Sequence, residues 1–162
     1  MSEHKLSPED MDLAPFVRVK PRSNHKRQGT QMMEAVHISG QMIHRIVMER
    51  ILGRPLKRIE HVDHINTDPI DNRRENLRVA NAMQNQANRY GGFGMVEYKG
   101  VYYDKSKRGS KKWKAQMSLA KVKGKYVRLH LGWFNTAEEA ALEYNKIAKE
   151  WYGEFARLNI IK

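Results

Sequence analysis

The chain of 162 residues contains no cysteine, no long apolar run and a deficit of acidic residues. The absence of thiols excludes disulfides and the cysteine ligands of zinc ribbons and fingers. A membrane-spanning helix needs about 18 or more apolar residues in a row. Neither such a run nor a basic amphipathic helix with an aromatic face is present, so we expect no membrane attachment. The first ten residues, MSEHKLSPED, lack the apolar core of a signal peptide, which predicts a cytoplasmic protein.

What the sequence has instead is positive charge. Thirty lysines and arginines outnumber eighteen aspartates and glutamates, which gives a formal net charge of +12 at pH 7. Such a charge indicates a polyanionic partner, and nucleic acid is the usual one. Because only 40% of the residues are hydrophobic and 30% are charged, the hydrophobic core must be modest or divided between two small domains.

Composition divides the chain into four segments. The first carries Pro8, Pro15 and Pro21 and is basic in its second half, so we predict an irregular arm that is either a solvated tail or a phosphate-binding arm. Three glycines in YGGFG, residues 90–94, indicate a linker between two domains. The predicted organisation is an irregular basic arm over 1–34, a first domain over 35–90, a glycine-rich linker over 91–98 and a second domain over 99–162.

The first domain is predicted to contain a helix, two strands and a second helix. Apolar residues recur at helical spacing in MIHRIVMERILG, and Gly53 followed by Pro55 supplies a stop signal. A short strand is predicted in KRIEHVDHI, before the turn-rich loop NTDPIDNRREN, and a second strand in LRVA. Asn81 then begins a helix, with Gln84 three residues later as in a capping box.

The second domain is predicted to be a small three-stranded antiparallel sheet packed on one α-helix. A β-prone run begins at Val101, and apolar and polar residues alternate in KWKAQMSL and YVRLHLGWF. A helix follows in NTAEEAALEYNKIAKEWYG, with a capping box of Thr136 and Glu139 and a buried stripe that ends at Trp151. The other face of the sheet is left for solvent or a partner, and the fold class of the whole chain is α+β.

The stretch from His61 to Arg89 concentrates polar residues suited to phosphodiester cleavage. Asp63 is a hard oxygen donor that suits Mg²⁺, and Asn85 offers a neutral amide oxygen. Two protein ligands leave the other coordination positions of the cation open to water and phosphate oxygens, as a catalytic site requires. His64 points to the opposite side of a strand from Asp63 and can act as a general base, while Asn76 can brace the loop or the imidazole.

The order of these residues resembles the HNH endonuclease family, of the phage and intron homing type. The family pattern V-D-H-I-N, D-N-R-x-E-N-L-R and Q-N-x-x-N is matched at Val62–Asn66, Asp71–Arg78 and Gln84–Asn88. The resemblance covers the segment 35–90 and implies a ββα-metal nuclease hairpin with a preceding helix and one divalent cation, Mg²⁺ or Mn²⁺. An Asp stands where many members carry His, a variation that the homing type shares. The implied roles are metal ligands for Asp63 and Asn85, general base for His64 and structural brace for Asn76.

Other polar residues of this stretch are open to two interpretations. His61 is either a phosphate contact or a partly buried histidine without a catalytic part, and Asn88 shares a helical face with Asn85 as a possible accessory ligand. Three arginines are candidate phosphate contacts, with ordinary solvated side chains as the alternative: Arg73, Arg78 and Arg89.

The C-terminal segment is strongly basic and resembles a second family. Between Lys99 and Arg128 there are eleven lysines or arginines and one acid. KGVYYD, KKWKAQM, YVRLHLGWFNTAEEAALEYNKIA and GEFARLN resemble the Apetala-two or ethylene-response-factor DNA-binding domain, in which the sheet enters the major groove and the helix packs behind it. The plant pattern has mainly Arg and Trp at several contact positions, so the plant recognition sequence does not carry over. The implied base-contacting positions are Tyr102, Asp104, Gln116, Ser118, Arg128 and His130, and the implied phosphate contacts are Lys105, Lys107, Arg108, Lys112 and Lys114.

Together these patterns predict a homing-type endonuclease that hydrolyses duplex DNA with one divalent metal ion and a histidine general base. We expect a monomer with no obligate protein partner, acting in a bacterial host if it is phage-encoded. One alternative is a sequence-specific DNA-binding regulator whose HNH scaffold is inactive. A second is an RNA-binding protein, which charge supports but which lacks an evident pair of exposed stacking aromatics on the sheet.

Overall fold

The computed structural model describes residues 5–21, 34–38, 40–91 and 96–162, and the chain divides into two compact units, Met1–Ala82 and Met83–Lys162. Helices and antiparallel strands occur in both units, in agreement with the predicted α+β class. The predicted linker over 91–98 lies partly outside the described residues, since 92–95 are not among them. None of the helices within the described ranges is long and apolar enough to cross a membrane.

Among its described residues, the N-terminal unit has two antiparallel sheets and one α-helix. The first sheet has the strand order β1-β2-β3 and the second pairs β4 with β5. The same residues include two 3-10 helices, Pro8–Phe16 and Arg74–Asn76. The bounds of the other elements are Arg18–Pro21 for β1, Glu34–Ile38 for β2, Gln41–Met42 for β3, Ile43–Leu52 for α1, His61–His64 for β4 and Leu77–Ala80 for β5.

Helix α1 forms the centre of this unit's core. Its apolar stripe, Ile43, Val47 and Met48, is buried and packs with Val62 of β4 and Leu77 of β5. Gly53 ends the helix in the left-handed conformation, with φ of 63°, which glycine adopts without the steric cost that a side chain imposes. The predicted helix and its glycine stop are therefore confirmed.

The beginning of the chain is more regular than predicted. Within the predicted irregular arm, Pro8–Phe16 forms a 3-10 helix and Arg18–Pro21 pairs with β2. Leu13 joins the core, and the carboxylate of Asp10 is fully buried between two arginines of later elements. These long-range contacts order a segment whose local composition indicates irregularity. The predicted phosphate-binding role rests largely on residues 22–33, which lie outside the described residues.

The C-terminal unit contains a three-stranded antiparallel sheet of order β6-β7-β8, as predicted. Helix α2 runs across the division between the units, and a 3-10 helix over Gly153–Phe155 follows the last α-helix. The bounds are Ala82–Asn88 for α2, Val101–Tyr103 for β6, Trp113–Val122 for β7, Lys125–Phe134 for β8 and Ala137–Tyr152 for α3.

Helix α3 covers one face of this sheet with small residues. Ala140, Ala141, Tyr144 and Ala148 are buried, and Val101, Ala115 and Met117 are the buried strand residues of the same clusters. The cap is confirmed, because the hydroxyl of Thr136 accepts a hydrogen bond from the Glu139 N–H at 3.1 Å. The stripe was predicted to end at Trp151, which is wrong: Trp151 is 58% exposed. Tyr152, four residues after Ala148, packs on the core instead, and its hydroxyl donates to the main-chain oxygen of Ser118.

Candidate active site

Strands β4 and β5 place the predicted catalytic dipeptide on a two-stranded hairpin. Asp63 lies opposite Arg78 and His64 opposite Leu77 in the antiparallel register. Directly opposed residues share a face of the hairpin, and successive residues alternate. Asp63 and His64 therefore point to opposite sides of β4, as the sequence predicts.

Asp63 is buried and bonded to an arginine. Its side chain is about 5% exposed, and Arg78 Nε donates to Asp63 Oδ2 at 2.9 Å from a side chain that is 13% exposed. Arg78 was a candidate phosphate contact, but in this structure its guanidinium neutralises the carboxylate predicted to bind metal. The ion pair explains how a carboxylate persists in a nearly buried position.

His64 is held by an amide and an imidazole. Its Nε2 lies 3.1 Å from Oδ1 of Asn72, and its ring centroid lies 5.1 Å from that of His44 in an edge-on arrangement. Burial has the largest effect on the pKa of His64 and lowers it. The hydrogen bond with Asn72 and the nearby carboxylates, of which Asp63 acts most strongly, raise this pKa by smaller amounts. A lowered pKa favours the neutral imidazole at pH 7, which is the form that can accept a proton.

Asn76 connects the two ends of the loop between β4 and β5. Its Nδ2 donates to the main-chain oxygen of Asp71 at 2.7 Å and to Oδ1 of Asn66 at 3.0 Å, and its Oδ1 accepts from the Asn66 N–H at 3.0 Å. The Ile65 N–H also donates to the Asn76 main-chain oxygen at 2.9 Å. Because the side chain of Asn76 is buried, these protein groups replace water as its hydrogen-bond partners.

Asp71 is a second anchor of the same loop. Its buried carboxylate accepts from Arg73 at 2.8 and 2.7 Å and from Asn66 at 2.9 Å. The Arg73 guanidinium, as the largest cause, lowers the pKa of Asp71 to about 2. Arg73 also lies 3.1 Å from a carboxylate oxygen of Glu75. Like Arg78, this candidate phosphate contact has carboxylate partners inside its own hairpin.

Sequence reasoning missed the residues that support this loop. Asn66, Asp71 and Asn72 were seen only as parts of a pattern, and the contribution of the N-terminal segment was not foreseen. The sequence signal for these supporting residues is the high proportion of Asn and Asp in NTDPIDNRREN, which is greater than a solvent-exposed turn requires. His61, whose burial was left open between two interpretations, is exposed.

The other predicted ligand belongs to a different compact unit. Asn85 lies on α2 in the unit that begins at Met83, and its side chain is half-buried, whereas Asn88 is buried. Asp63, His64 and Asn76 lie together in the hairpin of the first unit. The pairing of Asp63 with Asn85 therefore stays a prediction.

The donor chemistry suits a hard divalent cation held by few ligands. Among the residues that the structure describes, no group of three or more His, Cys, Asp or Glu side chains is arranged to enclose a metal. One carboxylate and one amide oxygen are the donor types that Mg²⁺ accepts, and they leave most coordination positions for water and phosphate. The residues present thus fit an open cation site and not a structural metal cage.

Helix α2 is anchored at its C-terminal end by Lys99. The ammonium donates to the main-chain oxygens of Gln86 at 3.4 Å, Arg89 at 2.8 Å and also Ala87. The side chain of Asn159 makes two hydrogen bonds to the backbone of Lys99. Its Oδ1 accepts from the Lys99 N–H at 2.6 Å, and its Nδ2 donates to the Lys99 carbonyl at 3.1 Å. Burial, with smaller effects from Arg157 and Arg89, lowers the pKa of Lys99 to about 8. No pattern in the sequence singled out this lysine among its basic neighbours.

The uncovered face of the C-terminal sheet carries most of the predicted base-contacting residues. Asp104 instead lies just after β6, where its carboxylate accepts from the N–H and the hydroxyl of Ser106. Ser118 lies opposite Arg128 and Gln116 opposite His130, so each pair shares a face. Tyr102 is 50% exposed. Residues 122–130, at the tip and along β8, are all exposed.

The predicted phosphate contacts of this region differ in their surroundings. Lys105 and Arg108 are exposed, while Lys112 is half-buried. Lys107 Nζ lies 4.2 Å from the centre of the Trp133 ring, and Lys114 Nζ lies 6.0 Å from that of Tyr102. Such cation–π contacts hold the ammonium groups at the sheet surface without removing their charge.

Comparison with known proteins bears on the first of these regions. Residues 41–87 match the HNH endonuclease family. The matched segment includes α1, both strands of the β4–β5 hairpin and most of α2.

A relative carries a name of the same kind. An uncharacterized HNH endonuclease of Acanthamoeba polyphaga mimivirus is 29% identical to this chain over 119 residues, which is 74% of this chain. The chain covers 57% of the length of that protein. No solved structure matches the chain. None of these matches supports an Apetala-two domain in the C-terminal unit, so that likeness rests on the sequence resemblance alone.

Proposed function

We propose that the protein is a metal-dependent DNA endonuclease of the HNH type. The observation that carries this proposal is the β4–β5 hairpin, in which a buried carboxylate and an oriented imidazole are adjacent within a segment that matches the HNH family. His64 is the general base, and its lowered pKa keeps it neutral. It accepts the proton of a water that attacks the phosphorus atom.

The other residues of the hairpin hold this geometry. Asp63 and Asn85 would bind the divalent cation, Mg²⁺ or Mn²⁺, which supplies positive charge for the transferring phosphate and the leaving oxygen. Arg78 holds the Asp63 carboxylate in its orientation through the 2.9 Å bond. Asn76 fixes both ends of the loop. In the ββα-metal arrangement that we propose, α2 follows β5 directly in the chain and carries Asn85.

The C-terminal sheet is proposed to bind duplex DNA. Its exposed face combines Arg128, which can read guanine, with polar side chains that can reach base edges. The surrounding lysines neutralise phosphates and position the duplex. Arg73, Arg78 and Arg89 are the proposed phosphate contacts of the nuclease segment. Arg73 and Arg78 also pair with carboxylates of the hairpin, and the main-chain oxygen of Arg89 accepts from Lys99. The homing character, the monomeric state and the cytoplasmic location stay predictions.

A plasmid assay tests this function. The full chain is incubated with supercoiled plasmid and Mg²⁺ or Mn²⁺, with a chelator as the blank, and nicked and linear products are measured. General-base removal typically costs about 100- to 10,000-fold in rate, and we expect this loss for His64→Ala. DNA binding by this variant should persist.

A control variant removes an exposed side chain outside the proposed nuclease segment. Lys149→Ala is expected to leave the cleavage rate within about threefold of the unaltered chain, as for a surface change without a catalytic part. Undiminished cleavage by His64→Ala would overturn the assignment of the base.

One observation favours the alternative of a non-catalytic DNA-binding regulator. The Arg78 guanidinium pairs with the Asp63 carboxylate at 2.9 Å, so a protein cation already compensates the charge of this carboxylate. Tight DNA binding without cleavage across a range of Mg²⁺ and Mn²⁺ concentrations would support this alternative against the nuclease.

A further inference from the structure

Asn72 is the buried amide that contacts the imidazole of His64. It is fully buried, and both polar atoms of its side chain have partners. Its Nδ2 donates to the Ile70 main-chain oxygen at 3.1 Å, its main-chain N–H donates to the Lys5 oxygen at 2.9 Å, and its Oδ1 lies 3.1 Å from His64 Nε2. A fully buried amide with partners on both sides is fixed in orientation and not only in position.

The orientation of this amide decides which nitrogen of His64 carries the proton. The Ile70 carbonyl can only accept a hydrogen bond, so it must face the NH₂ group of Asn72. The opposite orientation would place two oxygens 3.1 Å apart. The amide oxygen consequently faces His64, and because it too can only accept, Nε2 must donate.

A neutral imidazole has one protonated and one basic nitrogen. We propose that Asn72 is a positioning residue that holds His64 in the Nε2–H tautomer and thereby selects Nδ1 as the nitrogen that accepts the proton of the attacking water. The inference rests on the proposed nuclease function and deepens it. Asn72 itself touches neither the water nor the phosphate.

The N-terminal segment supports this amide from behind. Lys5 forms an isolated bridge beside Asp71, with its N–H donating to the Ile70 oxygen at 3.0 Å and its oxygen accepting from Asn72. The Ser7 hydroxyl accepts from the Arg74 N–H at 2.8 Å. Residues far away in sequence thus brace both sides of Asn72, which keeps its oxygen aimed at the imidazole.

The tautomer can be read directly by NMR. The full chain is labelled with ¹⁵N-histidine, and long-range ¹H–¹⁵N correlations of the His64 ring are recorded at a fixed neutral pH. We expect the signature of the Nε2–H tautomer, with an Nε2 proton protected from solvent exchange. A ring protonated at Nδ1 would overturn the proposal without any variant being made.

Variants connect the tautomer to the reaction. Asn72→Leu removes the acceptor, and we expect loss of the protected Nε2 proton and a fall in kcat of about 10- to 100-fold, as for other residues that orient a catalytic side chain, with KM for DNA unchanged. Asn72→Asp keeps an acceptor for Nε2 but loses the donor that faces the Ile70 carbonyl, so we expect a folded variant to regain the Nε2 signal and only part of the rate. An unchanged kcat in Asn72→Leu, or no Nε2 signal in a folded Asn72→Asp, would overturn the proposal.

The controls separate this inference from the nuclease assignment. Asn135→Leu makes the same replacement at an exposed site and should leave the ring signals and kcat unchanged. Failure of the unaltered chain to cleave any DNA would remove the catalytic role of both His64 and Asn72. A normal rate together with the wrong tautomer would count against Asn72 alone.

Discussion

Two hairpins of this protein are built in opposite ways. The connection 65–76 between β4 and β5 buries the side chains of Asp71, Asn72 and Asn76, and each of them is hydrogen-bonded within the hairpin. Between β7 and β8 the connection is only Lys123 and Gly124, both with positive φ, 47° and 80°, as a tight two-residue turn requires. The residues that follow this turn are exposed along most of β8.

The difference separates the needs of chemistry from those of binding. The β4–β5 hairpin, for which we propose a general base and a metal ligand, has an interior of hydrogen-bonded polar groups, as side chains that must be held within a fraction of an ångström require. A surface that contacts a charged polymer needs accessible cations and tolerates movement of each one. We therefore expect single substitutions in the first hairpin to lower activity or stability strongly. Single substitutions in the second hairpin should each weaken DNA binding slightly, and their effects should add.

The largest effect is expected at Asn76. Asn76→Ala removes three hydrogen bonds that join the ends of the β4–β5 loop, so we expect cleavage to fall by about 100-fold, at the upper end for residues that support a catalytic shell. Asn76→Asp has the same shape and keeps an acceptor but loses both donors, and it should be nearly as inactive. Plasmid cleavage rates test this, and near-normal activity in either variant would contradict the role of brace.

Asp10 should follow, since it braces the same hairpin from the N-terminal segment. Its fully buried carboxylate accepts from Arg74 at 2.7 and 3.0 Å and from Arg50 at 3.4 Å. Asp10→Ala should lower the free energy of unfolding by about 2–3 kcal/mol, the range for losing hydrogen bonds to charged groups. Unfolding in urea measures this loss of stability.

Asp12 is the matched control for this change. It shares Arg50 as partner at 2.7 Å but is 62% exposed at the side chain, so Asp12→Ala should cost much less than Asp10→Ala. Equal losses for the two variants would show that burial is not the cause.

A smaller effect is expected at Lys99, which holds the end of α2. Lys99→Met keeps the apolar stem but removes the donor to two carbonyls of α2 and to that of Arg89 just beyond it, and we expect about 1–2 kcal/mol of lost stability together with faster hydrogen exchange of the α2 amides. Lys162→Met, which breaks an exposed pair with Glu97, should leave exchange in α2 unchanged. Exchange unaffected by Lys99→Met would contradict the anchoring role.

The weakest single effects are expected on the β7–β8 face. Each lysine or arginine that neutralises a phosphate contributes about 1 to the slope of log K against log salt. Replacing Lys114 and Arg128 by alanine should therefore make this slope shallower, with only a modest fall in affinity at low salt. Lys146 and Lys149 lie exposed on α3, and their double replacement should not change the slope. If the two double variants behave alike, the sheet face is not the DNA surface.

Much of the fold could be predicted because its elements depend on local patterns. Alternation predicted β6, β7 and β8, and LRVA was recognised as the strand Leu77–Ala80. Helix α3 was predicted with its cap, but its buried stripe ends at Tyr152 and not at Trp151. A helical pattern allows either residue at the end of the stripe, and only the fit against the sheet distinguishes them.

The sequence identified several residues of the candidate site, but it did not show which side chains contact one another. Asp63, His64, Asn76 and Asn85 were singled out because their order and chemistry follow a motif. Asp10 and Lys99 carry no local signal, since each acts through a partner far along the chain: Asp10 through Arg50 and Arg74, and Lys99 through Asn159. Asn72 lies within the motif, but its contact with His64 and its support by Lys5 are visible only in the structure.

The sequence by itself determined the charge, the order of the strands and helices from α1 onward, and which side chains are able to bind a cation or accept a proton. Only the tertiary structure decided which arginines are taken by carboxylates, that Arg78 pairs with Asp63, and that His64 faces the oxygen of Asn72. The physical reason is that composition and periodicity are local properties, whereas burial and hydrogen-bond partners depend on segments that meet only after the chain has folded.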